Sequence, residues 1–143
     1  MASVLDVARY LLRKDRYMNP WALHKLCYYA QAWHMVWTGE NLFEEDFEAW
    51  EAGPVNRDIY LIQKVKYAVL LEHLNDPSNL TDDQKESLDV VWRDYGSMIP
   101  PTLRSQVLSE DPWLDAIEQG ANATITKESM LAYYGGLYAS KRS

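Results

Sequence analysis

The segment from Pro20 to Thr38 constrains the fold more than any other part of the chain, because it predicts a helix that is apolar on nearly every side. Asn19 is a favoured N-cap, proline is favoured at the first helical position, and Gly39 supplies a helix end. One stripe of this helix has helical spacing and comprises Leu23, Leu26, Cys27, Ala30, Trp33, His34 and Trp37. The opposite face carries Trp21, Tyr28 and Met35, with Lys25 and Gln31 beside them. Such a helix either lies buried at the centre of a bundle, which we favour, or presents its second face to a partner.

Further helices are predicted wherever a capping residue or a proline precedes an apolar pattern. Their predicted spans are Ser3 to Leu12, Pro54 to His73 (with Ile62, Val65 and Val69 on one face), Thr81 to Tyr95, Pro100 to Leu108, Asp111 to Glu118, and a last helix from Thr126 onward. The segment from Phe47 to Trp50 predicts a short strand or an extended loop, and Asn75 to Asn79 predicts a loop. The predicted fold class is all-α: a compact single domain over residues 1–143, with six or seven helices and at most one short two-stranded β ribbon.

Charge and composition narrow the range of partners. The chain has 14 basic and 21 acidic residues and a net charge of −7. A phosphate backbone repels such a surface, so we predict no direct nucleic-acid binding. An acidic surface instead speeds encounter with a basic protein. No apolar stretch approaches the roughly 18 residues of a spanning helix, and no signal-peptide pattern is present, which predicts a cytoplasmic protein without membrane contact.

The residues that could carry chemistry form no recognisable set. No two of the three histidines have the i, i+4 spacing of a helical zinc site. Cys27 is the single cysteine, so it allows no intrachain disulfide, and it lies on the apolar stripe where a buried, unreactive thiol is expected. We therefore predict no catalytic residue, no metal and no cofactor, and a binding protein rather than an enzyme. A pocket that joined Glu48 or Asp111 to His34 or a tyrosine would support the alternative of a small hydrolase-type enzyme.

Five short motifs follow one another along the chain. They are Leu23–His34, Leu42-Phe43 after Gly39, Glu48–Val55, Tyr95-Gly96 and Glu110–Trp113. Together they resemble the signature of the Panacea antitoxin domain family, which includes SocA-like and phage-associated proteins, and the resemblance runs from about Val4 to Tyr134. Two positions depart from the family pattern. Leu108-Ser109 stands where relatives commonly have Thr-His, and Asn56-Arg57 stands where they have a proline.

The resemblance implies an antitoxin that neutralises a co-encoded protein toxin by direct contact, in a phage or prophage setting. As an alternative it implies a proteolytic adaptor that delivers the bound toxin to a protease. Many relatives carry an additional N-terminal DNA-binding domain, which we do not expect here because the first predicted helix begins at Ser3. A DNA-binding regulator is opposed by this expectation and by the net charge.

Two sets of site residues follow from these patterns. For the partner surface we predict residues on the second face of the central helix and in the acidic run after it: Trp21, Lys25, Tyr28, Met35, Glu48 and Glu51. For the architecture we predict Trp33, Trp50, Gly53, Pro54, Asp111, Pro112 and Trp113. The turn at Gly53-Pro54 should lead directly into a helix, and Asp111 should cap a later one. If the central helix is buried on both sides, we expect the partner to dock on the acidic segment from Glu44 to Glu51 instead.

Overall fold

The computed structural model describes residues 2–74 and 79–142, which form a mainly helical bundle with one small sheet. The helices are α1 (Val4–Leu12), α2 (Pro20–Thr38), α3 (Arg57–Lys66), α4 (Asp82–Tyr95), α5 (Pro100–Leu108), α6 (Asp111–Gln119) and α7 (Lys127–Arg142). A 3₁₀ turn (Leu71–His73) follows α3, and the strands are β1 (Phe47–Trp50), β2 (Gly53–Val55) and β3 (Thr124–Ile125). The prediction of a bundle of six or seven helices is confirmed. The loop predicted from Asn75 to Asn79 falls, apart from Asn79, outside the described residues.

Helix α2 lies at the centre of the fold, and every residue from Leu23 to Met35 is buried. Helices α1, α4, α5 and α7 and strand β2 all contact it. The predicted second face is covered as well, because the Tyr28 ring packs edge-on against Phe47 of β1 (5.6 Å between centroids) and Tyr134 of α7 (6.0 Å). Tyr28 and Met35 are 0% and 4% exposed. Tyr28 and Met35 are therefore not exposed to a partner, and the favoured prediction of a helix buried at the centre of the bundle is confirmed.

Both ends of α2 are closed by the residues that the sequence indicated. The carboxamide oxygen of Asn19 accepts hydrogen bonds from the backbone N–H groups of Trp21 (2.8 Å) and Ala22 (3.3 Å). At the other end Gly39 adopts a left-handed conformation (φ +77°), which glycine reaches without a Cβ clash. The two predicted capping boxes, which open α1 and α4, are also present. Local side-chain chemistry therefore sets the bounds of these helices.

Strands β1 and β2 form an antiparallel hairpin in which Trp50 pairs with Gly53, so that Glu51 and Ala52 make a two-residue turn. Strand β3 pairs with the other edge of β1, which gives the order β2-β1-β3. The sheet has three strands rather than the two of the predicted ribbon, because the two residues of β3 are too few to show an alternating pattern. Since β2 contacts both α2 and α5, the hairpin turn is placed beside the start of the central helix.

The helix predicted to begin at Pro54 begins instead at Arg57. Pro54 is the middle residue of β2, and Asn56 caps α3 by accepting a hydrogen bond from the N–H of Ile59 at 3.0 Å. The helix ends before Tyr67, whose backbone is left-handed (φ +60°), well short of the predicted end at His73. Pairing with β1 holds Gly53-Pro54 in an extended strand conformation. This interaction overrides the local preference of proline for a first helical turn.

Candidate partner-binding cleft

The polar side chains of α2 are mostly engaged inside the fold. The Gln31 carboxamide accepts a hydrogen bond from the N–H of Leu42 (2.7 Å) and donates one to the carbonyl of Phe43 (2.6 Å). His34 Nδ1 lies 2.8 Å from the hydroxyl of Ser87 on α4. These bonds satisfy groups that would otherwise be buried without partners, so the signature residues involved are explained by the architecture.

Tyr29 has a comparable role at a buried carboxylate. Glu110, only 6% exposed, accepts hydrogen bonds from the hydroxyls of Tyr29 and Tyr134, each at 2.7 Å. The Tyr28 hydroxyl lies 3.1 Å from that of Tyr134 and extends the cluster. Burial raises the pKa of Glu110, and the two hydroxyl donors oppose that shift. The cluster joins α2, α7 and the start of α6.

The predicted cap of α6 is wrong by one residue. Glu110 occupies the N-cap position, while Asp111 is the first residue of the helix and Pro112 follows it in the first turn. No side-chain capping bond is made by Glu110, because its carboxylate turns inward to Tyr29 and Tyr134. A long-range polar cluster has therefore replaced the local cap that the Asp-Pro pair indicated.

His24 is held as a neutral imidazole between α2 and α3. Its Nδ1 accepts a hydrogen bond from the backbone N–H of Asn56 (3.1 Å), so the ring proton is assigned to Nε2, which donates to the Gln63 carboxamide oxygen at 2.9 Å. Burial lowers the pKa of His24 to about 4, and the neighbouring charge of Lys25 adds to the shift. The imidazole is therefore a structural acceptor for the cap of α3.

We expect the stability of the protein to fall in acid because of His24. Its folded pKa of about 4 lies below the 6.5 of an ordinary histidine, so its contribution is complete above pH 6.5 and is lost as the pH falls towards 4. Two and a half pKa units correspond to about 3 kcal/mol. Denaturant unfolding at pH 7 and pH 4 should show that the wild type loses about this much more than His24→Asn, which keeps an acceptor but does not titrate. Equal losses in the two proteins would contradict the assignment.

Lys25 differs from the other polar residues of α2. Its side chain is buried (4% exposed), yet its ammonium makes one long hydrogen bond, 3.3 Å to the carbonyl of Trp21 in its own helix. Among the described residues no carboxylate pairs with it, and the charge that acts on it is the like charge of Arg104 on α5. Burial and this repulsion lower the pKa of Lys25 to about 8. The fold therefore buries a cation without giving it a counter-charge.

Lys25 lines a cleft of about 400 Å³ between the start of α2, the β1–β2 turn and the start of α5. Trp21 and Ala52 form apolar parts of the wall, and Arg104 contributes a second cation. The guanidinium of Arg104 donates a hydrogen bond to the carbonyl of Glu51 at 3.1 Å, which fixes it beside the turn. No acidic side chain lines this cleft in the part of the chain that the structure describes. We call it the Lys25 cleft.

Of the predicted structural residues, Gly53 packs against Lys25 beside this cleft. Gly53 has φ +121°, and a Cβ at this position would lie 3.0 Å from Lys25 Cε and 3.4 Å from Leu108 Cδ1. Both the backbone conformation and the close packing of Lys25 therefore require glycine. The indole N–H of Trp113 donates to the carbonyl of Trp50 at 2.9 Å, which ties the hairpin to α6. The hairpin thus contacts α2 and α5, which form cleft walls, and is also tied to α6.

The six predicted partner-binding residues have different positions in the structure. Trp21 and Lys25 line the Lys25 cleft, and Glu51 is exposed in the turn beside it. Glu48 lies on β1, where it accepts hydrogen bonds from the Trp50 indole (3.0 Å) and Arg57 (2.8 Å). The remaining two, Tyr28 and Met35, are core residues.

Arg104 was not predicted as a site residue. It lies on α5 between buried Leu103 and an exposed serine, and no sequence spacing relates it to Lys25. Its one signal is a basic side chain on an otherwise uncharged helix, which by itself is typical of an exposed helix face. Only the packing of α5 against α2 brings the two cations into one cleft.

A second exposed feature lies on α3. Leu61 and Val65, one helical turn apart, are each 63% exposed, although Val65 was predicted to share one face with Ile62 and Val69, of which Val69 is buried. Tyr67, which follows the helix, is 92% exposed in its left-handed conformation. This α3 patch is an apolar surface separate from the Lys25 cleft.

Within residues 2–74 and 79–142, no helix is long and apolar enough to cross a membrane. The His, Cys, Asp and Glu side chains of these residues form no group of three or more that could hold a metal ion.

The comparison with protein families matches residues 23–114 to the family described as antitoxin SocA-like, Panacea domain. This span is about two thirds of the chain, and it includes Lys25, the hairpin and Arg104. No curated protein and no solved structure matches the chain. The chain belongs to the antitoxin SocA-like, Panacea domain family.

Proposed function

We propose that this chain is an antitoxin that neutralises a co-encoded protein toxin by direct binding, and that the Lys25 cleft is part of the contact surface. Family membership supports the antitoxin role. The observation that carries the choice of surface is Lys25, a buried cation that no carboxylate pairs with among the described residues, in a helix whose other buried polar side chains are engaged in the fold. Burying an ammonium is costly unless it is paired. A partner that supplied the missing charge would recover that cost on binding.

The residues around Lys25 suit a protein contact. Trp21 is partly exposed, and Arg104 is exposed at the edge of the cleft. Tryptophan and arginine are the residue types most enriched at interface hot spots, where truncation costs 2 kcal/mol or more. Binding alone can block a toxin, so this proposal requires no catalytic group and makes the chain a binding protein rather than an enzyme.

The test is co-expression with the neighbouring open reading frame, scored by growth rescue and by co-purification. We expect Trp21→Ala and Arg104→Ala to weaken toxin binding about thirtyfold, which corresponds to about 2 kcal/mol, and to reduce rescue. Each variant must first show a wild-type melting curve. The matched control is Leu61→Ser on the α3 patch, since Leu61 is 63% exposed and lies outside the cleft.

The results for these variants distinguish the Lys25 cleft, the α3 patch and the segment from Glu44 to Glu51 as candidate interfaces. If Leu61→Ser releases the toxin and both cleft variants retain it, the α3 patch is the interface and the cleft is not. If all three retain it, the segment from Glu44 to Glu51 becomes the next surface to test. In that segment Asp46 and Glu48 already pair with Lys127 and Arg57. Toxin half-life in the same cells distinguishes blocking, which leaves the toxin level unchanged, from delivery to a protease, which lowers it.

A further inference from the structure

We propose that the Lys25 cleft is a carboxylate-binding site, and that its occupant in the cell is a carboxylate of the partner protein. The identity of the partner rests on the proposed function, whereas the carboxylate chemistry rests on the cleft itself. The carboxylate is either a side chain of Asp or Glu or a chain terminus, and these two sources share the same recognition chemistry.

The donors in the cleft are largely unused by the residues that the structure describes. The Lys25 ammonium has three N–H donors and makes one bond of 3.3 Å, and its side chain is 4% exposed. The Arg104 guanidinium has five donors, one of which goes to the Glu51 carbonyl. A carboxylate placed between the two groups would accept charge-assisted hydrogen bonds from both.

The backbone at two helix N-termini beside the cleft also carries partial positive charge. Asn19 lies at the N-terminus of α2, Pro100 and Pro101 begin α5, and all three line the cleft. Helix N-termini carry partial positive charge, and no side chain caps α5. The recognition therefore rests on the two cationic side chains, because Asn19 already accepts from the first N–H groups of α2 and the two prolines that begin α5 have no N–H. No acidic residue lines the cleft among those the structure describes.

The remaining walls and the net charge favour a protein carboxylate over a phosphate polymer. Trp21, Ala22 and Ala52 give the cleft apolar surface beside the cations, which suits a carboxylate flanked by an apolar side chain. The chain as a whole carries a net charge of −7, which repels a nucleic-acid backbone but leaves a single local carboxylate accessible.

The test uses the isolated chain and short peptides. The probes are acetyl-Leu-Leu-Leu with a free carboxylate or as the amide, and acetyl-Leu-Glu-Leu-amide with its Gln counterpart. NMR titration should show saturable shifts at the Trp21 indole and the Arg104 guanidinium for a charged probe, with the matched neutral probe at least tenfold weaker. Whichever charged probe binds identifies the source of the carboxylate. Equal binding of charged and neutral probes would overturn the proposal.

A lysine variant supplies the second arm. We expect Lys25→Met to weaken carboxylate binding at least tenfold, while Lys64→Met, which removes an exposed lysine from α3, leaves it unchanged. If Lys25→Met does not fold, the pH dependence of carboxylate binding to the wild-type protein provides the test. The charged groups near Lys25 are Arg104 on α5 and Glu51 in the hairpin turn, and the neighbouring His24 is neutral at this pH because burial lowers its pKa to about 4. Binding should therefore weaken as the pH rises through about 8, where the Lys25 ammonium loses its proton. Affinity that is constant from pH 7 to 9.5 would sink the proposal.

Failure of the carboxylate-binding proposal can be distinguished from failure of the proposed antitoxin function. Toxin that binds through the cleft in the absence of any carboxylate preference would leave the antitoxin role intact and remove this inference. Carboxylate peptides that bind in the cleft, together with cleft variants that still neutralise the toxin, would support the site and remove the cleft from the toxin interface.

Discussion

We expect Trp33→Ala to lower the free energy of unfolding by about 3–5 kcal/mol. Trp33 is 9% exposed and packs between Trp37 (5.7 Å between ring centroids) and Tyr134 (5.6 Å). Its indole N–H donates to the Tyr95 hydroxyl at 2.9 Å, so the substitution also removes a bond between α2 and α4. Loss of a large side chain from the most buried helix leaves space that the surrounding helices can close only in part. Equilibrium unfolding in urea measures the effect.

The matched control is Trp33→Phe. It keeps most of the ring contacts with Trp37 and Tyr134 but cannot donate to Tyr95, so the expected cost is about 1–2 kcal/mol. The difference between the two variants isolates packing from the hydrogen bond. A cost below about 1 kcal/mol for Trp33→Ala would mean that this side of α2 is not packed as described.

The second large effect is expected at Glu110→Leu. The substitution removes the acceptor of two tyrosine hydroxyls, those of Tyr29 and Tyr134, inside the bundle. The Tyr134 hydroxyl keeps that of Tyr28 as a partner at 3.1 Å, so the Tyr29 hydroxyl is the one that loses its bond, and the expected cost is about 1–3 kcal/mol. Glu110→Gln retains an acceptor oxygen in the same place and should be much closer to wild type. Urea unfolding at pH 7 compares the three proteins.

The Glu110 variants also compare two opposing contributions to stability, the desolvation of the buried carboxylate and its hydrogen bonds with the tyrosine hydroxyls. Burial raises the pKa of Glu110, which shows that the ionised form is disfavoured relative to water. A Leu variant as stable as wild type would mean that this desolvation cost equals the stabilising free energy of the two hydroxyl hydrogen bonds. A destabilised Leu variant with a near-normal Gln variant would show that hydrogen-bond satisfaction is the larger effect.

The parts of the fold that could be predicted are those set by neighbouring residues. Asn19 accepts hydrogen bonds from N–H groups two and three residues away, and Gly39 ends α2 by its own backbone preference. The start of α3 could not be predicted in this way. Gly53-Pro54 permits either a hairpin or a helix start, and the choice is made by pairing with β1, which the local sequence does not encode.

The candidate site could also be predicted from the sequence only in part. The seven-residue spacing of Trp21, Tyr28 and Met35 correctly placed them on one face of a helix, but spacing does not tell what covers that face. Strand β1 and α7 cover Tyr28, whereas Trp21 lies at the open end of α2 beside Lys25. The pairing of Lys25 with Arg104 depends entirely on how α5 packs against α2.

The position of α2 in the chain has a consequence for synthesis. Its residues leave the ribosome early, yet the hydroxyl of Tyr28 meets that of Tyr134, 106 residues later in the sequence. Until α7 has been translated, a long apolar surface of α2 remains uncovered, and such surfaces are prone to aggregate or to be degraded. We expect the nascent chain to fold late, with the core closing only after nearly the whole sequence has emerged. The partner binding proposed above would then follow completion of α7 rather than the onset of translation.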